Sequence, residues 1–225
     1  MPPIVVIAPE STSYQIVQRV ATELGIQDKI LLHLTGLSRS LSVARKAEEE
    51  GAYVIVARGW SANQIVEAGI RTPLVFLPIS MQDLVYVLDQ ALAKAAKPNP
   101  RVGFIVYPQL QKELEALSSL LHVDLRIYPS GSDKEDMRRA IAQAVRDKVD
   151  VFIGGETSIA MAESMGLCCQ LLVCDEMSIR QALLEAKRIV YARELEQAQS
   201  LKFKTVIEHS HDGIVSLDAE GRVLL

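Results

Sequence analysis

The chain has 225 residues; 24 basic against 28 acidic side chains give a net charge of −4, and 49% of the residues are apolar. That size and apolar share suit one large domain or two small lobes with packed cores, and exclude a disordered or collagen-like chain. A pI near 5.6 with no block of Lys and Arg gives no grip on a nucleic-acid backbone.

No apolar run approaches the roughly 20 residues that cross a bilayer. Residues 1–8 lack the length and the basic residues of a signal peptide, so a cytoplasmic protein with no membrane partner is expected. Cys168, Cys169 and Cys174 form an odd set inside one apolar segment. This speaks for core packing rather than a disulfide frame, and a zinc site lacks its His partners.

Short β-branched runs alternate with longer amphipathic stretches along the whole chain. Strands are expected at 4–8, 30–34, 53–57 and 74–77, with helices at 13–24, 41–50, 62–68 and 82–95. Lys97-Pro98-Asn99-Pro100 then stops a helix and cannot enter a central strand, which makes it the expected joint between lobes. Beyond it strands are expected at 102–106, 125–128, 151–153 and 171–174, and helices at 111–121, 135–147 and 158–165. Most strands are apolar throughout, as in a parallel sheet covered on both faces. Ser, Thr or Asp at the helix entrances can cap the free N–H groups.

The halves resemble each other. Setting Gly59 on Gly155 gives an offset of 155 − 59 = 96, which also sets Glu67 on Glu163, Phe76 on Leu172 and Met81 on Met177. The expected fold class is α/β: two similar Rossmann-like lobes with parallel sheets and a ligand cleft between them, followed by a long connecting helix. The expected limits are 1–97 and 98–176 for the lobes, 177–205 for the helix, whose start can pack on a lobe, and 206–225 for a further, incomplete unit.

Open parallel sheets bind ligands outside the carboxyl ends of their strands, where both glycine turns fall. In Arg58-Gly59-Trp60-Ser61-Ala62 the backbone N–H groups, the helix dipole, a hydroxyl and a guanidinium can converge on an anion. Gly154-Gly155-Glu156-Thr157-Ser158 offers the same geometry with a carboxylate in place of the guanidinium. Each loop taken alone reads first as a plain strand-to-helix turn; as a pair at equivalent positions in two lobes they point to a ligand site. Ser11 and Ser80 stand at further strand ends, where they add hydroxyls to the site or, equally well, cap the helices that follow. Trp60 forms a crevice wall or covers a rim, and Glu156 is simply solvent-exposed, orients a ligand hydroxyl or pairs with Arg58.

Signals of catalysis are thin. P-loop, dinucleotide, zincin and nucleophile-elbow motifs are all missing from the sequence. Cys174 could serve a racemase-like enzyme, but the matching position in the first half is Pro78. Neither a catalytic residue nor a metal ligand is assigned.

From Met177 to about Lys204 runs one helix without Gly or Pro. At 1.5 Å per residue it reaches roughly 40 Å and should project, pairing with a second copy or connecting to something else. Next comes Phe203 to Val223, in which Asp212-Gly213 precedes an alternating strand and Asp218-Ala219-Glu220-Gly221 turns into another. One hairpin is too little to be stable alone, so the chain is expected to be the front of a longer protein.

That last stretch resembles the start of a PAS domain. Ala57-Arg58-Gly59-Trp60-Ser61-Ala62, Thr72-Pro73-Leu74-Val75 with Pro78-Ile79-Ser80, Val151-Phe152-Ile153-Gly154-Gly155, Met177-Ser178-Ile179 and Ala182-Leu183-Leu184-Glu185-Ala186 occur in the order of a known family. Through them, residues 4 to about 200 resemble the N-terminal sensory domain of the propionate catabolism activators, which drive sigma-54 RNA polymerase. The resemblance implies an effector-binding module, without a cofactor of its own, that controls an AAA+ ATPase using ATP and magnesium. It also implies a DNA-binding domain beyond this chain, a homodimer, and a small carboxylated effector such as 2-methylcitrate. Trp60 and Ser61 depart from the family's usual Arg-Gly-Gly-Thr-Ala, which leaves the effector's identity open. A racemase- or isomerase-like enzyme and a dimerising interaction module without ligand are the alternatives.

Overall fold

The computed structural model describes residues 2–35, 37–106, 110–131, 133–208, 215 and 217–223. The first half runs β1 (Ile4–Ala8), α1 (Ser11–Glu23), β2 (Ile30–Leu34), α2 (Leu37–Glu49), β3 (Val54–Ala57), α3 (Gly59–Glu67), β4 (Leu74–Phe76) and α4 (Met81–Ala95). The second runs β5 (Arg101–Val106), α5 (Gln111–Leu121), β6 (Asp124–Pro129), α6 (Lys134–Arg146), β7 (Val151–Gly154), α7 (Glu156–Ser164), β8 (Cys169–Leu171) and α8 (Glu176–Glu208). Helices begin two to four residues earlier than expected in α1, α2, α3 and α7; in α1 and α7 the first turn is polar and carries no apolar period.

Two four-stranded parallel sheets result, ordered β2-β1-β3-β4 and β6-β5-β7-β8. The same order in both lobes is the repeat expected from the offset of the glycine turns. Pleating sends alternate side chains to opposite faces. From the first sheet Ile4, Val6, Val54 and Val56 enter one core, and Val5, Ile7, Ile55 and Ala57 enter the other, with Ala44 and Ala47 of α2 and Ile65 of α3. In the second sheet Phe104 and Ile153 face α5, while Ile105 and Phe152 face Met137 and Ile141 of α6.

The packing moves the lobe limits. Leu84, Val87, Leu88 and Ala91 of α4 lie in the second lobe's core, although α4 follows the first sheet in the chain. Conversely Ile179, Ala182, Leu183, Ala186 and Val190 of α8 complete the first lobe's core against α1. Each lobe therefore receives its last helix from the segment that leaves the other, and burying each large aliphatic side chain contributes about 1.5–3 kcal/mol. The chain crosses at 77–80 and 172–175 rather than at the prolines. Lys97 and Arg101 instead bond to Asp150 within the second lobe, where Pro100 is buried.

Both crossings start as extensions of their sheets: the Leu77 N–H donates to the Ala57 carbonyl and the Leu172 N–H to the Gly154 carbonyl, at 2.9 and 2.8 Å. The strand expected at 171–174 consequently sits earlier, at Cys169–Leu171, and Leu172 to Cys174 belong to the crossing. A continuous apolar run reports burial, not which residues pair. Asp83 ties the crossings together, accepting from the backbone N–H groups of Ser80 and Asp175 at 2.8 and 2.7 Å and from the Ser178 hydroxyl at 3.2 Å.

Past Val190 the described side chains of α8 are exposed, Tyr191, Leu195, Leu201 and Phe203 among them. Polar contacts still hold it to the first lobe through Glu194 with Lys29 and Gln197 with Tyr53. In the final segment Leu217 and Val223 form an antiparallel bridge, and the Asp218 carboxylate accepts from the N–H groups of Glu220 and Arg222. The Asp212-Gly213 part of the expected hairpin lies outside the described residues.

Candidate functional site

The carboxyl ends of β1, β3 and β7 deliver three loops to one crevice between the lobes. Pro9 and Glu10 follow β1, Arg58 to Ser61 lead into α3, and Gly155 to Thr157 lead into α7; with Leu172 they line a cavity of about 50 Å³. The two matched glycine turns thus face a shared hollow. Gly59 has φ +54, a conformation that glycine adopts without strain. Gly155 is extended, and an added Cβ would meet nothing within 4 Å, so its backbone fronts open space.

Arg58 dominates the site. It is 8% exposed, and its Nη2 donates to the Leu172 carbonyl oxygen at 2.5 Å. Its Nη1 lies 3.6 Å from a Glu10 carboxylate oxygen, too long for a hydrogen bond. Among the described residues, Arg58 Nη1 is the buried side-chain nitrogen or oxygen atom without a hydrogen-bond partner. Leaving a buried donor unsatisfied costs about 1–3 kcal/mol, and more when it is charged. Glu10 is buried too, held by the Ser13 hydroxyl.

The helix starts add to this potential. Side chains do not cap the first N–H groups of α1, α3 and α7, whereas α4, which begins outside the crevice, carries a full capping box of Ser80 and Asp83. Unsatisfied N–H groups and the dipole give each crevice helix a partly positive end. Against it stands Glu156, exposed at the mouth; partial desolvation and then the neighbouring Glu10 charge push its carboxyl above the usual range.

Trp60 crosses the crevice. Its indole Nε1 donates to the Gly131 carbonyl oxygen of the second lobe at 2.5 Å, and the ring packs on that lobe's core. It lines the cavity and also bonds one lobe to the other. Ser61 and Thr157 line the cavity together with Arg58, Gly59, Trp60, Gly155 and Glu156. The remaining expected residues do not. Ala62 is fully buried in the first lobe's core, and Ser158 is buried and bonds back to the Gly155 carbonyl. Gly154 sits in β7, where a Cβ would strike Ser158 Oγ at 2.3 Å; Ser80 caps α4, and Ser11 is exposed on α1. Glu156 is exposed, the plainest of the readings its sequence allows, and the ion pair with Arg58 is made by Glu10.

Cys174 is buried, its thiol near the Pro78 carbonyl, and desolvation pushes it up to about 11. It is a protonated thiol at neutral pH and a poor nucleophile. Among the described residues no group of His, Cys, Asp and Glu could hold a metal ion, and no helix is long and apolar enough to cross a membrane.

Two matched α/β lobes that exchange their last helices and close on a guanidinium-bearing crevice define a two-lobed sensory module. The chain belongs to the propionate catabolism activator family, whose model matches residues 25–196, and is a sensory domain of a transcriptional activator. A similar fold occurs in an NtrC family transcriptional regulator from Clostridium acetobutylicum. It is 17% identical with a TM-score of 0.73, over 84% of this chain and 97% of that one. A LacI family transcriptional regulator from Arthrobacter sp. FB24, in complex with lactose, matches at 12% identity and a TM-score of 0.44, over 84% and 90%. The curated proteins contain no match.

Proposed function

We propose that this domain senses a small carboxylated metabolite of the 2-methylcitrate kind between its lobes and passes the change to an AAA+ ATPase later in the full-length protein. The observation that carries the reading is the orphaned Arg58 Nη1, a buried cationic donor beside two uncapped helix starts. A carboxylate would take that donor while the N–H groups near Gly59 and Gly155, with Ser61 and Thr157, hold its other oxygens.

A hollow of about 50 Å³ has room for little more than water, so the metabolite enters when the lobes part. Parting breaks the bonds from Trp60 to Gly131 and from Arg58 to Leu172, and a ligand shifts that balance only by its difference in affinity for the two states. α8 packs on the first lobe while its own leading segment leaves the second, so lobe movement reaches its projecting end. From there the change would pass to a PAS domain beginning near residue 206, within a homodimer, and on to sigma-54 RNA polymerase and DNA through later domains. The fragment itself is non-enzymatic, cytoplasmic and free of cofactor in this reading; ATP and magnesium belong to the ATPase.

Isothermal titration with short di- and tricarboxylates, 2-methylcitrate included, tests the proposal. Heat that disappears in Arg58→Ala supports it. No heat from any of them, or undiminished affinity in that variant, overturns it.

A further inference from the structure

A larger cavity, of about 470 Å³, lies behind the crossing segment from the crevice. It falls in the 300–1,000 Å³ range of small-molecule sites, and its walls are mostly apolar. One face of α4 forms a wall, with Gln82, Tyr86 and Gln90 four residues apart; Gln170 and the crossing that leaves β8 form another, and Thr12 of the first lobe closes the end.

The wall chemistry restricts the occupant. No Lys, Arg or His lines the cavity, while two carboxylates do, so its walls offer an anion no partner and two like charges. Those carboxylates are spent on helix starts: Asp83 accepts from three donors, and Asp175 accepts from the Ser178 N–H at 2.6 Å. A polyol would lose its water against apolar walls without enough partners. Gln170 Nε2 donates to Gln90 Oε1 at 2.8 Å, which leaves the Gln90 N–H groups to donate and the Gln170 carbonyl to accept. Turning both amides over yields the same pair of functions. Tyr86, 64% exposed, offers a ring at the mouth on which a flat molecule stacks.

We propose that this cavity is a second binding site, for a flat, uncharged molecule of nucleobase or nicotinamide size whose amide or lactam edge pairs with Gln90 and Gln170. Such a molecule bridges Thr12 of the first lobe and α4 of the second alongside a crossing, so its occupancy is placed to bias lobe opening. The site does not use Arg58, which separates it from the crevice.

Ligand-observed and protein-observed NMR titrations of the 225-residue chain with nicotinamide and with uracil, and nicotinate as the anionic control, test the assignment. Saturable binding of at least one uncharged probe at millimolar concentration or below is expected, with nicotinate silent. Affinity should fall on the order of tenfold in Gln90→Leu and severalfold in Tyr86→Ala. Melting temperatures establish that each variant is folded, and the exposed position of Tyr86 keeps one arm decisive if Gln90→Leu is not. Failure of both uncharged probes to bind, nicotinate binding as well as nicotinamide, or unchanged affinity in a folded Tyr86→Ala would overturn it.

Discussion

Trp60 Nε1 and the Gly131 carbonyl oxygen, 71 residues apart, meet at 2.5 Å across the crevice and fasten one lobe to the other. Trp60 is the only tryptophan of the chain, so its fluorescence reports this bond alone. Trp60→Phe keeps the packing and loses the donor, a loss of about 0.5–1.5 kcal/mol that should shift the balance toward open lobes. Small-angle scattering should then show a larger radius of gyration. In the wild type, opening should move the tryptophan emission to longer wavelength before global unfolding in urea. An unchanged radius together with one concerted transition would remove Trp60 as a latch.

Glu10 holds the place beside Arg58 that a ligand carboxylate would take, and so acts as a competitor built into the site. A second carboxylate sharing the Arg58 guanidinium with it, at an effective dielectric near 20, is repelled by on the order of 2 kcal/mol. Glu10→Gln should tighten a carboxylate ligand on the order of tenfold. It should also destabilise the ligand-free chain by about 1–3 kcal/mol, because Arg58 loses its nearby charge. Calorimetry and urea denaturation read the two effects separately, and a loss of affinity in this variant would contradict the competitor role.

Arg58, Gly59 and Gly155 were legible because a strand, a glycine turn and a helix recur at one offset, and that grammar places loops at the carboxyl ends of strands. Glu10 was seen only as part of a turn. What buries it is a guanidinium 48 positions away, and no local period records a partner at that distance. The Leu172 and Gly131 carbonyls were hidden for another reason: a backbone acceptor has no letter of its own. The helix exchange was equally silent. The apolar stripe of α4 announces that one face is buried, and is the same whichever sheet covers it.

Glu156 would make binding of a carboxylate in the crevice depend on pH. Its folded value is raised by desolvation and then by Glu10, with Arg58 the facing cation of the crevice. A raised carboxyl binds more protons folded than unfolded, so its contribution to stability is fully present below the unfolded value and is lost as pH rises through the folded one. An arriving anion raises Glu156 further, and proton uptake accompanies binding. Affinity should therefore rise as pH falls from about 7 to about 5, beyond the effect of the ligand's own ionisation, and Glu156→Gln should flatten that excess. Calorimetry in buffers of different ionisation enthalpy counts the protons. Equal uptake in wild type and variant would assign the effect elsewhere.

The helix exchange predicts where damage appears. Leu183 on α8 is fully buried in the first lobe and Leu88 on α4 is 1% exposed in the second, so each sits in the lobe that its place in the chain argues against. Replacing either by Ala removes about 2–5 kcal/mol. Leu183→Ala should lower hydrogen-exchange protection in β1 and β3 first, and Leu88→Ala in β5 and β7. Were each lobe built from consecutive residues, the pattern would reverse: Leu88→Ala would loosen β1 and leave β5 protected. Exchange read strand by strand distinguishes the two arrangements. Because α8 is shared between the first lobe's core and the projecting end, Leu183→Ala should also weaken any ligand-dependent change in protection at residues 191–205, while leaving their exposure in the free protein unchanged.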